Sequence, residues 1–206
     1  MGKSTITTEQ AILKAAEEMF LEKGFSMVST TDIANKVGCN QALVHYYYRT
    51  KENLFMKVFT NKVDALFDMF SHIVETETLF ENRINIFIDQ YFGLFIKSPR
   101  IPFLIVNELI LNPTRRKYIR EYINQRAMPD FYYKFDCQVK EEIQKGHICE
   151  INTLDLILHI VSLTVFTFVS LPVLEDLLPK TDFSIKDYVS HRKDEIKKLI
   201  IQGLRP

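Results

Sequence analysis

The sequence predicts an all-α chain: a small N-terminal unit of three helices, two of them forming a helix-turn-helix, joined to a larger helical C-terminal part. Three observations carry the fold class. Apolar residues recur at the three-and-four spacing of amphipathic helices along nearly the whole chain. Alternating strand patterns bounded by turn pairs such as Asn-Gly are lacking. Helix start and stop residues fall at the edges of the periodic stretches. The 206 residues are 47% hydrophobic and 25% charged, a composition that folds and is long enough for a small domain attached to a larger one.

The elements follow in order. Thr7-Thr8-Glu9-Gln10 forms a capping box, and Ile12, Leu13, Ala16, Met19 and Phe20 then share a face until Gly24 offers a left-handed stop, giving a helix over about 7–23. Thr30 is expected to cap a short second helix through Val37, Gly38 supplies a turn, and Asn40 caps a third helix to about Tyr47. Thr50 caps a fourth, and later helices are expected near about 78–97, 101–111, 114–127, 130–145, 153–177 and 184–203. Pro102 suits a first turn, Pro113 and Pro129 mark breaks, and Gly146 marks a C-terminal stop. Near Lys51 compact short helices give way to longer aromatic-rich ones. We therefore expect a domain of residues 1–50 and a second of 51–206, joined through the fourth helix.

Composition narrows the function classes. Lys plus Arg and Asp plus Glu are 26 each, so global charge gives no pull toward nucleic acid or membrane, and any such case is local. Cys39, Cys137 and Cys149 lie far apart without metal-ligand spacing, which suits a reducing cytoplasm and predicts neither metal nor cofactor. The five histidines are scattered, and no GxSxG, phosphate loop or HExxH occurs, so no catalytic residue is expected. The polar, then amphipathic N-terminus is unlike a signal peptide. Leu156 to Leu174 is nearly long enough to span a bilayer. Asp155 at its start and the Ser, Thr and His residues inside it favour instead a helix buried between its own domain and a partner subunit, with no membrane.

Two short helices joined by a tight glycine turn need apolar residues inward and a small residue at their crossing. Ala34 is the small residue, Gly38 sits at the turn, and Ile33, Val37, Cys39, Val44 and Tyr47 fall inward. Asn40, Gln41, Ala42, Leu43, His45 and Tyr46 are left facing outward, and Tyr48 belongs to the corner, with the Tyr47 ring inward and only its hydroxyl out. In such motifs the second helix enters the DNA major groove while neighbouring hydroxyls and amides grip phosphates. Gln41 has the groups to pair with adenine N6 and N7, and Ala42 or Leu43 to touch a thymine methyl. His45, Tyr46 and Tyr47 offer donors to phosphate, and Thr30, Thr31 and Lys51 hold the flanking backbone. Between Val28 and Lys62 bases outnumber acids by about three, a modestly positive patch in a neutral chain.

The stretch AAEEMFLEKGFSMVSTTDIANKVGCNQALVHYYYRTKENLF resembles the DNA-binding domain of the TetR family of bacterial transcriptional regulators. The likeness covers about residues 8–57: helix one ending in Phe20 and Gly24-Phe25, the TTDIA start of helix two, Gly38, and YYYRTKENL leading into helix four. It implies a homodimeric repressor that binds a palindromic operator and releases it when a small molecule enters the C-terminal domain. Carried over by position, the operator contacts are Thr30, Thr31, Gln41, Ala42, His45, Tyr46, Tyr47 and Lys51, with Asn40 setting the helix start. Family members often have lysine where Gln41 stands, glycine where Ala42 stands and tyrosine where His45 stands.

Beyond residue 60 the resemblance is one of pattern. A ligand cavity pairs an apolar lining with a few convergent polar groups, and Gln90, Tyr91, Asn107, Glu108 and His159 each interrupt an otherwise apolar stretch. Glu108 is the sharpest, because a buried carboxylate needs a partner such as Arg83 or Arg100, or a cationic ligand. The last two helices have the pattern of a dimer interface, two from each subunit making a four-helix bundle. The rival readings are a helical interaction module or small-molecule-binding protein without sequence-specific DNA binding, and an enzyme using residues distant in sequence.

Overall fold

The computed structural model describes residues 7–110, 112–125, 128–177 and 184–206, without the side chains of residues 105, 108–110 and 128–129. These residues form ten helices, and no strand occurs among them. Packing groups the chain into two units, one up to Leu66 and one from Phe67, a division that falls within the fourth helix.

In the first unit α1 spans Thr8–Lys23, and Thr7 and Gln10 close the expected capping box over its first turn. Its buried stripe is Ile12, Ala15, Ala16, Met19 and Phe20. Gly24 ends the helix with a positive φ of 77° but an extended ψ of 167°, so the stop is not the left-handed helical one expected. α2, Thr30–Val37, is capped by Ser29 rather than Thr30. The Ser29 hydroxyl accepts from the Asp32 backbone N–H, and the Asp32 carboxylate accepts from the Ser29 backbone N–H and hydroxyl. Thr30 is thereby freed from capping duty. Gly38 adopts φ 75°, ψ 32° and returns its N–H to Ala34 and Asn35, the left-handed turn that glycine makes without steric cost. α3 spans Gln41–Tyr48 and α4 Lys51–Glu75.

α1, α2 and α3 pack mutually around Ile33, Ala34 and Val44, all nearly inaccessible. Phe20, Phe25 and Phe55 add an aromatic cluster, Phe55 meeting both others edge-on at 5.2 and 5.1 Å. Burying rings of this size adds substantially to the aliphatic core of so small a unit.

The second unit holds α5 (Phe80–Lys97), α6 (Ile101–Ile110), α7 (Pro113–Gln125), α8 (Met128–Gln144), α9 (Thr153–Leu177) and α10 (Ile185–Gly203). Pro113 opens α7 and Pro129 lies in the first turn of α8, where a missing N–H costs nothing. Phe70, Phe87, Phe131 and Phe135 stack in series, with Phe70 and Phe87 only 4.5 Å apart, and Phe92 and Phe95 close on Phe168 of α9. α10 packs on both α5 and α9. Lys193 and Lys197 of α10 reach Asp89 of α5 at 3.0 and 2.6 Å. Burial pushes the Asp89 carboxyl up, but the hydrogen bonds and charges of the two lysines outweigh it and hold the group below its ordinary value.

α9 is long and apolar enough to cross a membrane by length and composition, and a third of its apolar window is buried against the rest of the unit. Along it runs a row of exposed apolar side chains: Leu154, Leu158, Phe166, Val173 and Leu177 are each half or more accessible.

Candidate nucleic-acid interface

Helix α3 divides its residues cleanly. Val44 is 1% exposed and Tyr48 8%, while Gln41, Ala42, Leu43, His45, Tyr46 and Tyr47 are all exposed. Asn40 starts the helix, its side-chain oxygen accepting from the Ala42 N–H at 2.9 Å. The outward set matches the expected one except at Tyr47, whose ring is 37% exposed and lies edge-to-face on Tyr46 at 5.2 Å. Three and four residues after Val44 both fit the helical period. Tyr48 takes the inward place because its hydroxyl reaches the Glu9 carbonyl at 3.2 Å, tying α3 to α1. Burial, with Glu9 and Tyr47 nearby, pushes the Tyr48 phenol up to about 12, so it stays a donor. Val37 and Cys39, also expected inward, are half-buried.

Arg49 joins α3 to α4 at φ 63°, ψ −51°, the one non-glycine residue with positive φ among the described residues. The Thr50 N–H donates to the Tyr48 carbonyl at 2.7 Å, closing a three-residue γ-turn, a strained conformation for an L residue. The turn brings the Arg49 carbonyl back toward α3, where it accepts from His45 Nδ1 at 3.1 Å. The Thr50 hydroxyl then caps α4 by accepting from the Asn53 N–H.

At the start of α2, Thr31 is exposed and Thr30 half-buried, with the Thr30 hydroxyl accepting from Gln41 Nε2 at 3.0 Å. Gln41 Nε2 also lies 3.4 Å from His45 Nε2. The expected contact residues of two helices are thus joined in one polar chain. Lys51 is half-buried with its ammonium 4.1 Å above the Phe25 ring, which fixes the side chain beside the motif.

Electrostatically the patch is weaker than the sequence count. Lys36 pairs with Glu18 at 2.7 Å and Lys62 with Glu17, both acids on α1, which offsets two of the counted cations. The Asp32 carboxylate is held below its ordinary value by the Ser29 hydroxyl and backbone N–H, and is committed to its cap.

The residues expected to line a ligand cavity are not gathered. Gln90, Asn107 and His159 are exposed, Tyr91 is buried among Phe70, Phe87 and Phe95, and the Glu108 side chain lies outside the described residues. Consecutive helical positions diverge by about 100°, so Gln90 and Tyr91 cannot share a face. Arg83, expected as a partner of Glu108, donates to the carbonyls of Thr76 and Thr78. A cleft of about 240 Å³ does open in this unit, but on other residues: Leu79, Phe80, Ile148, Ile201 and Leu204, with Glu142, His147 and Arg205 at its polar side. No sequence signal marked it, because its lining comes from four separated segments. Among the described residues no group of three or more His, Cys, Asp or Glu could hold a metal ion.

Comparison with known proteins agrees with the geometry of the motif. Residues 12–58 match the model of the N-terminal domain of bacterial regulatory proteins of the tetR family. A fatty acid metabolism regulator protein of Bacillus subtilis is 22% identical over 139 residues, 68% of this chain and 70% of that protein. Among solved structures, the fatty acid degradation regulator FadR of Bacillus halodurans superposes with a TM-score of 0.71 at 20% identity, covering 98% of this chain and 99% of that one. The regulator FadR of Bacillus subtilis in complex with stearoyl-CoA superposes with a TM-score of 0.69 at 19% identity, covering 95% and 98%. Residues 12–58 thus match the helix-turn-helix domain of the tetR family of bacterial regulatory proteins, and the all-helical fold of the chain is shared with the solved regulators.

Proposed function

We propose that the protein is a cytoplasmic, ligand-responsive transcriptional repressor that binds a palindromic operator as a homodimer and is released from it by a small molecule. The observation that carries the DNA-binding half is α3, eight residues long, anchored inward by Val44 and Tyr48 while six neighbouring side chains face outward. A helix held this way delivers Gln41, Ala42 and Leu43 to base edges and Tyr46 and Tyr47 to phosphates, with His45 standing against Gln41 and with Thr30, Thr31 and Lys51 on the flanking backbone. In this reading residues 1–50 are the DNA-binding domain and residues 51–206 the ligand-binding and dimerisation domain.

The apolar row on α9, with exposed Leu199 on α10, supports the dimer. Two helices from each copy would cover it in a four-helix bundle. Two recognition helices then meet half-sites a helical turn or a multiple apart. A ligand that prefers the conformation with a different helix separation lowers affinity by its difference in binding free energy for the two states.

For the effector, the named function of the Bacillus subtilis relative and the stearoyl-CoA held by a structural neighbour make long-chain acyl-CoA the first class to test. Selection from random duplex DNA with the purified chain tests the reading: an enriched inverted repeat whose binding weakens on adding acyl-CoA supports it. Failure to enrich any repeat defeats the DNA-binding half, and a repeat insensitive to acyl-CoA removes that effector class.

A further inference from the structure

We infer that Thr30 and His45 are positioning residues that lock the Gln41 amide so that it presents its carbonyl oxygen, and not its NH₂ group, to the operator. The inference rests on the DNA-binding reading above and adds to it which base edges Gln41 accepts.

The partners of His45 fix its tautomer. Its Nδ1 lies 3.1 Å from the Arg49 carbonyl, which can only accept, so Nδ1 carries the proton. In the neutral ring Nε2 is then an acceptor, and the group of Gln41 that faces it at 3.4 Å must be the NH₂. The same NH₂ donates to the Thr30 hydroxyl at 3.0 Å. Both amide hydrogens are therefore committed, one to each neighbour, and the orientation of the amide follows from the partners' chemistry. Oε1 is the polar atom left for a ligand.

The Arg49 γ-turn holds the arrangement in place, since the carbonyl that fixes the His45 proton is itself aimed by a strained φ of 63°. Unlocked, Gln41 reads adenine bidentately, donating to N7 and accepting from N6. Locked as acceptor only, it is satisfied equally by adenine N6–H or cytosine N4–H, and it disfavours guanine and thymine, which present acceptors there.

Base-resolved selection on the full chain tests this. Gln41→Ala locates the half-site position by flattening its preference. At that position the wild type and Thr30→Ser, which keeps the hydroxyl, are expected to take adenine and cytosine comparably. Thr30→Val and His45→Phe each free an amide hydrogen and are expected to shift the preference toward adenine by roughly ten-fold, the discrimination of a good bidentate pair. A merely structural role for Thr30 would lower affinity without moving that ratio. If the wild type already prefers adenine alone, or if the ratio is unchanged in both freed variants, the inference falls while the operator reading stands. If no protein enriches a repeat, both fall.

Discussion

The molecule exposes two unusual surfaces, and they are built differently. On α3 the exposed rings of Tyr46 and Tyr47 sit among polar groups already engaged: Asn40 on the Ala42 N–H, His45 on the Arg49 carbonyl, Gln41 on Thr30. On α9 the exposed Leu154, Leu158, Phe166 and Val173 stand in a row that is nearly all hydrocarbon, with the Ser162 hydroxyl turned back onto the His159 carbonyl. The first surface is organised to discriminate, because oriented donors and acceptors penalise a wrong partner. The second offers area and little direction, which suits a permanent neighbour of the same kind.

The largest effect expected from breaking this contrast lies in the core of the first unit. Phe55→Ala removes the ring that joins Phe20 and Phe25, and should cost about 3–5 kcal/mol in denaturant unfolding, abolishing DNA binding by unfolding the unit. Next is the α9 row: Leu158→Lys with Phe166→Lys should halve the mass seen by light scattering, while unfolding of the separated chain changes by no more than about 0.5 kcal/mol per exposed site. An unchanged mass would show that the row is not the self-association face. Smaller again is Ser29→Ala, which opens the cap of α2 and should cost about 1 kcal/mol without altering which DNA sequence is selected.

A pH dependence is also expected. Tyr48 has its folded value raised from 10.0 to about 12, so its contribution is fully present below pH 10 and is lost as pH rises from 10 toward 12. Tyr48→Phe should flatten that alkaline decline in a thermal melt, at the price of the hydroxyl's bond to Glu9.

Much of the first surface was legible in the sequence because its determinants are local. Gly38, Asn40 and the periodicity about Val44 act within a few residues, and they placed α2, the turn and α3 closely. What was not legible depended on distant partners. Tyr47 and Tyr48 are equivalent by period, and a carbonyl 39 residues away decides between them. Lys36 and Lys62 counted toward DNA until α1 supplied Glu18 and Glu17. Thr30 read as a cap, yet Ser29 one residue earlier takes that role and leaves Thr30 to Gln41. The strained Arg49 had no signal, since nothing about arginine marks a positive φ. In the second unit the polar residues that interrupt apolar stretches proved mostly exposed, because an isolated polar residue records a helix edge as readily as a cavity wall.

The most direct test of the central claim is hydrogen exchange on the full chain with and without its selected duplex. Slowed exchange is expected only at the start of α2, in α3 and in the first turn of α4, with α9 unchanged from the free protein. Slowing centred on α9 or the second unit, with α3 unaffected, would contradict it.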